Sequence, residues 1–160
     1  MKKSIPFFIL CFFILVLSTP SLAWEARVVA VADGDTITIE PIEGGDRAKV
    51  RLHGIDCPET NQPHGQAARD FVSKAVLFKT VDVQPSPQGK DRYGRLVAVI
   101  EIPGVGVLQE LLLEAGLAWV YSQYCRDCRA WETMEAEARK QRKGLWVEAN
   151  PVEPWEWRKK

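Results

Sequence analysis

The chain has 160 residues, with 21 lysines and arginines balanced by 21 aspartates and glutamates. That length builds one domain with a real core but not two comfortable ones. Zero net charge excludes a protein that holds nucleic acid by bulk positive charge, so any polyanion site must be a local patch.

The N-terminus reads as a segment apart. Lys2 and Lys3 are followed by an apolar run from Ile5 to Leu17, then Pro20 and the small residues Ser21 and Ala23. This is the plan of a secretory signal peptide, with cleavage expected after Ala23. The run is short of the roughly 20 apolar residues a spanning helix needs. An uncleaved anchor is the lesser alternative, and no stable membrane association is expected after cleavage. The expected mature domain is 24–160, with 19 bases against 21 acids and a net charge of −2. It is expected to be exported to the periplasm or the medium, and no feature calls for an oligomer.

In chain order, Glu25 to Ala32, Thr36 to Glu40 and Ala48 to His53 alternate apolar and polar residues as three strands. Asp33-Gly34-Asp35 and the Gly44-Gly45 segment turn between them. Gly65 to Lys79 carries a helical stripe of Ala67, Ala68, Phe71, Val72, Ala75, Val76 and Phe78. Thr80 to Gln84 is a strand stopped by Pro85 and Pro87, and Arg95 to Ile102 is the fifth strand. Val107 to Ala115, ended by Gly116, and Arg129 to Lys143, capped by Gly144, are two further helices. The tail from Leu145 holds Trp146, Trp155 and Trp157 and is expected to pack on the domain. Five strands with an inserted helix suggest an α+β fold built on a five-stranded oligonucleotide-binding-fold β-barrel with three helices.

Three cysteines follow the leader: Cys57, Cys125 and Cys128. In an exported chain the Cys125-x-x-Cys128 pair is expected to be a disulfide, which leaves Cys57 as a free thiol. A zinc site is the lesser reading: only Cys57, His53 and His64 are left to complete it, and there is no second CxxC.

The chemistry-bearing residues concentrate in Arg51-Leu-His-Gly-Ile-Asp56-Cys-Pro-Glu59. One cation and two carboxylates at the end of a strand and in its loop suggest an anionic substrate and a metal. Asp33-Gly34-Asp35-Thr36, Asp91-Arg92-Tyr93-Gly94-Arg95, and Tyr121 with Tyr124 add further candidates. Each alone reads equally well as a solvated turn or a packed side chain.

Together, in order and spacing, they make the chain resemble the staphylococcal nuclease family over nearly all of the expected mature domain. The resemblance implies the same barrel fold and a calcium-dependent phosphodiesterase acting on DNA and RNA and leaving 3′-phosphate ends. Residue by residue, it implies Asp35 and Asp56 as side-chain Ca²⁺ ligands, with the main-chain carbonyl of Cys57 as a third oxygen. It gives Arg51 and Arg95 the scissile phosphate and Glu59 the attacking water. Arg92 and Tyr93 match positions that bind the outer phosphate and sugar, and Tyr124 matches a tyrosine of the nucleotide pocket. A second pocket tyrosine aligns with Ser122, with Tyr121 one place away, and Cys57 stands where well-known members have threonine. The competing expectation is a non-catalytic nucleic-acid-binding barrel. Such a barrel has no use for a carboxylate beside a phosphate, so Glu59 together with Arg51, Arg95, Asp35 and Asp56 favours the enzyme.

Overall fold

The computed structural model describes residues 23–125 and 128–160. The signal peptide expected at the N-terminus lies outside the described residues but for Ala23. Strands β1 (Trp24–Val31), β2 (Thr36–Pro41) and β3 (Ala48–Leu52) form an antiparallel meander, as their alternation predicts. Strand β4 is the two-residue Ile55–Asp56. Helix α1 (Gly65–Val76) precedes the long β5 (Thr80–Lys90), and β6 (Leu96–Ile102) follows. β1 pairs with β5, β5 with β6, and a parallel pairing of β3 with β6 closes the barrel. Closure leaves the five principal strands without the unpaired edges of an open sheet, except where β5 runs on beyond Val83 paired with β6 alone.

The interior is filled by alternate residues of each strand: Val28, Ile37, Ile39, Val50, Leu52, Val81, Val83 and Ile100 are all buried. Ala68, Val72 and Val76 of α1 plug one side. After the short β7 (Gly106–Val107), α2 (Leu108–Glu114) inserts Leu108, Leu112 and Leu113 into the same core. Strand β8 (Trp119–Val120) pairs with β4 and so ties the Asp56 loop to the chain beyond α2. Helix α3 (Arg129–Lys140) covers α2, and Trp119, Ala138, Leu145 and Trp146 form a second apolar cluster.

The sequence reading differs from the structure at several points. Pro85 and Pro87 do not stop β5. The strand has left β1 after Val83 and pairs with β6 alone, and a strand with one free side tolerates residues that lack an N–H. α1 ends at Val76, because Phe78 takes a left-handed φ of 62° and its ring is exposed rather than on the helical stripe. α3 stops at Lys140, before Arg142 at φ 52°. The tail packs as expected, but it also forms a fourth helix, α4 (Pro154–Trp157), started by the proline.

Two glycines set the position of the Asp56–Glu59 loop. Gly54 has φ +71°, and a Cβ there would lie 2.7 Å from the Cys125 sulfur. A Cβ on Gly65 would sit 1.8 Å from the Glu59 carbonyl oxygen. Only glycine lets the start of α1 approach that backbone so closely.

Candidate active site

The Asp33–Thr36 turn and the loop after β3 face each other across the β2–β3 pairing, in which Thr36 is opposite Arg51. Asp33 Oδ1 accepts from the Asp35 N–H at 3.0 Å, which shapes the turn and aims Asp35 inward. Asp35 Oδ2 accepts from the Cys57 N–H at 2.8 Å and lies 3.1 Å from Arg51 Nη1. Arg51 Nη2 reaches Asp56 Oδ1 at 2.7 Å. One guanidinium therefore bridges two carboxylates from different loops. The Asp56 side chain is 1% exposed and that of Arg51 13%.

The electrostatics follow from burial. Burial opposes the charge of Arg51, but the fields of Asp35 and Asp56 outweigh it and hold its pKa above the ordinary arginine value. Asp56 is pushed up, chiefly by burial; the hydrogen bond from Arg158 and the charge of Arg51 offset that only in part. Asp33 is raised to about 6 by burial and then by the neighbouring charge of Asp35.

Arg95, at the start of β6, connects to this cluster through a hydroxyl. Its Nη1 donates to Thr36 Oγ1 at 3.2 Å, and Thr36 Oγ1 in turn donates to Asp35 Oδ1 at 3.2 Å. Asp91 holds Arg95 Nε at 2.7 Å and accepts the Tyr93 and Arg95 N–H groups at 2.9 Å each. Burial works against the Asp91 charge, but those donors prevail and lower its pKa. Arg92 and Tyr93 stand out from this loop. The guanidinium carbons of Arg92 and Arg95 lie 4.8 Å and 5.5 Å from the Tyr93 ring centre. Arg92, Tyr93 and Arg95 thus form one cationic-aromatic ledge beside the carboxylates.

Tyr124 is placed differently. It is exposed and lines a wide cleft of about 910 Å³ with His53, Trp131 and the Cys125–Cys128 disulfide, a cleft lined by none of the site carboxylates or arginines. Tyr121 stacks against Trp155, with ring centres 5.1 Å apart and planes 6° from parallel, so one of its faces is already covered.

Cys57 is free and 3% exposed, and burial followed by the charge of Asp35 drives its thiol pKa well upward. A buried thiol of this kind is neutral at physiological pH. In the folded protein Cys57 is expected to resist alkylation by iodoacetamide at pH 8 and to react at once in denaturant. Mass-spectrometric labelling that modifies Cys57 as fast as an unfolded control would contradict the burial.

The sequence reading missed Arg158. Its Nη2 donates to Asp56 Oδ2 at 2.7 Å and its Nη1 to Glu59 Oε1 at 2.6 Å. The three carboxylates Asp35, Asp56 and Glu59 thus share two guanidiniums, Arg51 and Arg158, and Asp33 adds a fourth beside Asp35 without an ion pair among the described residues. That leaves a shortfall of two positive charges, which one divalent cation would make good. Among the described residues no group of three or more His, Cys, Asp or Glu side chains is arranged to hold a metal ion by itself. Two carboxylates, Asp35 and Asp56, are the hard oxygen donors a cation that keeps several waters would use, and in this structure each of their oxygens accepts from a protein donor.

The chain is similar to known proteins over most of its length. The family model described as "Staphylococcal nuclease homologue" matches residues 49–148. An uncharacterised endonuclease of Escherichia coli O157:H7 is 38% identical over 99% of this chain and 98% of its own. A micrococcal nuclease of Shigella flexneri is 34% identical over 91% of this chain and 87% of its own. A staphylococcal-like nuclease of Arabidopsis thaliana is 44% identical over 69% of this chain, which spans 33% of that protein.

Proposed function

The chain belongs to the staphylococcal nuclease family and is a nuclease; from that premise we propose an exported, calcium-dependent phosphodiesterase. It cleaves DNA and RNA by attack of water at phosphorus, leaves 3′-phosphate ends and acts as a monomer. The observation that carries this reading is the bridging of Asp35 and Asp56 by Arg51, with Glu59 on the adjoining loop and Arg95 one hydroxyl away.

Attack on a phosphodiester adds negative charge to the nonbridging oxygens, and rigid guanidiniums stabilise it by charge-assisted hydrogen bonds. Among the described residues Arg51 Nε and Arg95 Nη2 donate to no protein acceptor, so both arginines keep N–H groups for phosphate while their carboxylate contacts hold them still. Glu59 orients or deprotonates the attacking water. A general base is worth roughly 10²–10⁴ in rate, so charge stabilisation supplies the larger share. Asp35, Asp56 and the Cys57 carbonyl would hold Ca²⁺, which when bound supplies two positive charges beside the phosphate. Arg92 and Tyr93 receive the outer phosphate and sugar, while Tyr124, which lines a separate cleft, takes no part in this reading.

The test is cleavage of single-stranded DNA by the mature protein. Calcium-dependent cleavage is expected, abolished by chelator and reduced roughly 10²-fold or more in Glu59→Ala. Binding of DNA without cleavage under any divalent cation would favour a non-catalytic barrel instead.

A further inference from the structure

Glu59 is the least secured member of the site. Its side chain is 35% exposed, and among the described residues its carboxylate has one hydrogen-bond partner, Arg158. Asp35, Asp56 and Arg51, by contrast, are held by several groups each. A carboxylate on a short loop with a single partner takes its direction from that partner.

The tail that carries Arg158 is firmly placed, although the Arg158 side chain is itself 43% exposed. Pro154 is buried, Trp155 packs between Tyr121 and Trp119, and Trp157 Nε1 donates to Asn61 Oδ1 at 3.2 Å. Gln62 is buried and works in both directions. Its Oε1 accepts from the Glu59 N–H at 3.1 Å, and its Nε2 donates to the Val152 carbonyl at 2.6 Å. The tail therefore grips the Glu59–Gln62 turn through its backbone, through Asn61, and through the Glu59 carboxylate. Arg158 spans from Glu59 to both oxygens of Asp56, and so fixes Glu59 relative to the innermost carboxylate. Two carboxylates of one loop repel unless a cation lies between them, and a planar guanidinium fixes their separation as well as their charge.

We propose that Arg158 is a positioning residue of the nuclease site, delivered by the docked C-terminal tail, which holds the Glu59 carboxylate in its working direction. The proposal rests on the role given to Glu59 above. Misplacing a catalytic group by about 1 Å costs on the order of 10² in rate. Arg158→Ala is thus expected to lower kcat about 10²-fold while KM stays within a few-fold.

The decisive measurement is a double-mutant cycle on single-stranded DNA with saturating Ca²⁺, with Ca²⁺ affinity of each variant measured by calorimetry. If Arg158 acts through Glu59, Arg158→Ala costs nothing further in a Glu59→Ala background. Arg158→Lys keeps a cation but not the two-carboxylate span, and recovers only part of the loss. It carries the same cycle should the alanine variant fold poorly. Losses that multiply would make Arg158 an independent phosphate contact and overturn the proposal. So would full activity in Arg158→Lys, or an unchanged kcat with Ca²⁺ affinity altered. A fully active Glu59→Ala would instead remove the reading of Glu59 itself, and is told apart by that single variant.

Discussion

Replacing Arg51 with alanine is expected to lower kcat/KM by about 10³ or more and to cost about 3–5 kcal/mol of folding stability. The two effects have one origin. Arg51 is the bridge between Asp35 and Asp56, and the Asp56 side chain is 1% exposed. Its removal leaves buried carboxylates facing one another with Arg158 as the nearest remaining cation. It also removes the guanidinium to which the proposed mechanism gives the scissile phosphate. The sign of the pH effect follows. Asp56 already has a raised pKa, from burial first, and Arg51 is one of the groups pulling it down. Without Arg51 the carboxylate is raised further. The stability deficit is therefore full at neutral pH and shrinks as acid protonates the group. Arg51→Lys separates the effects: an ammonium restores much of the stability but not the two-pronged contact. Urea unfolding at two pH values and steady-state kinetics check all of this. An alanine variant as stable as the wild type at pH 7 would show that the bridge carries little.

The contrast between Arg51 and Arg158 shows what a linear reading reaches. Arg51, Asp56 and Glu59 lie within nine residues, and the end of strand periodicity at Gly54 marks where a loop begins. Asp35 joins them because β2 and β3 are consecutive, so their pairing is a local event. Likewise the barrel strands were legible because each buries one face and so alternates. Arg158 meets Asp56 and Glu59 from 102 and 99 residues away, across no repeat or pairing rule. A four-residue helix such as α4 is too short to show periodicity. The tryptophans around it said that the tail docks, but not on what. Helix ends were overrun for a similar reason. Phe78 and Arg142 adopt left-handed backbone that their own side chains do not favour; at the end of α1 the Phe78 N–H donates to the Val28 carbonyl of β1, and at the end of α3 the Lys143 N–H donates back to the Ala138 carbonyl.

Asp35→Asn should separate charge from structure more cleanly than any other change in the site. Asp35 accepts from the Cys57 N–H and the Thr36 hydroxyl and lies beside Arg51. An asparagine carbonyl placed toward Cys57 keeps the bond that ties the two loops. Its amide then faces Thr36 Oγ1, a hydroxyl that turns to accept. The fold is expected to survive, since one carboxylate is removed from a cluster with too few cations and Asp33 loses a repelling neighbour. Calcium binding is expected to fall by about 10² or more, because altering even an outer partner of a metal ligand costs 10–100-fold. Thermal unfolding reads both consequences. In chelator the variant unfolds at or above the wild-type temperature. On adding Ca²⁺ at 100 times the wild-type Kd, the wild type gains about 2.7 kcal/mol by linkage, and the variant gains almost nothing. An asparagine variant stabilised by calcium as strongly as the wild type would place the cation elsewhere, and Asp35 would then be a hinge between loops rather than a ligand.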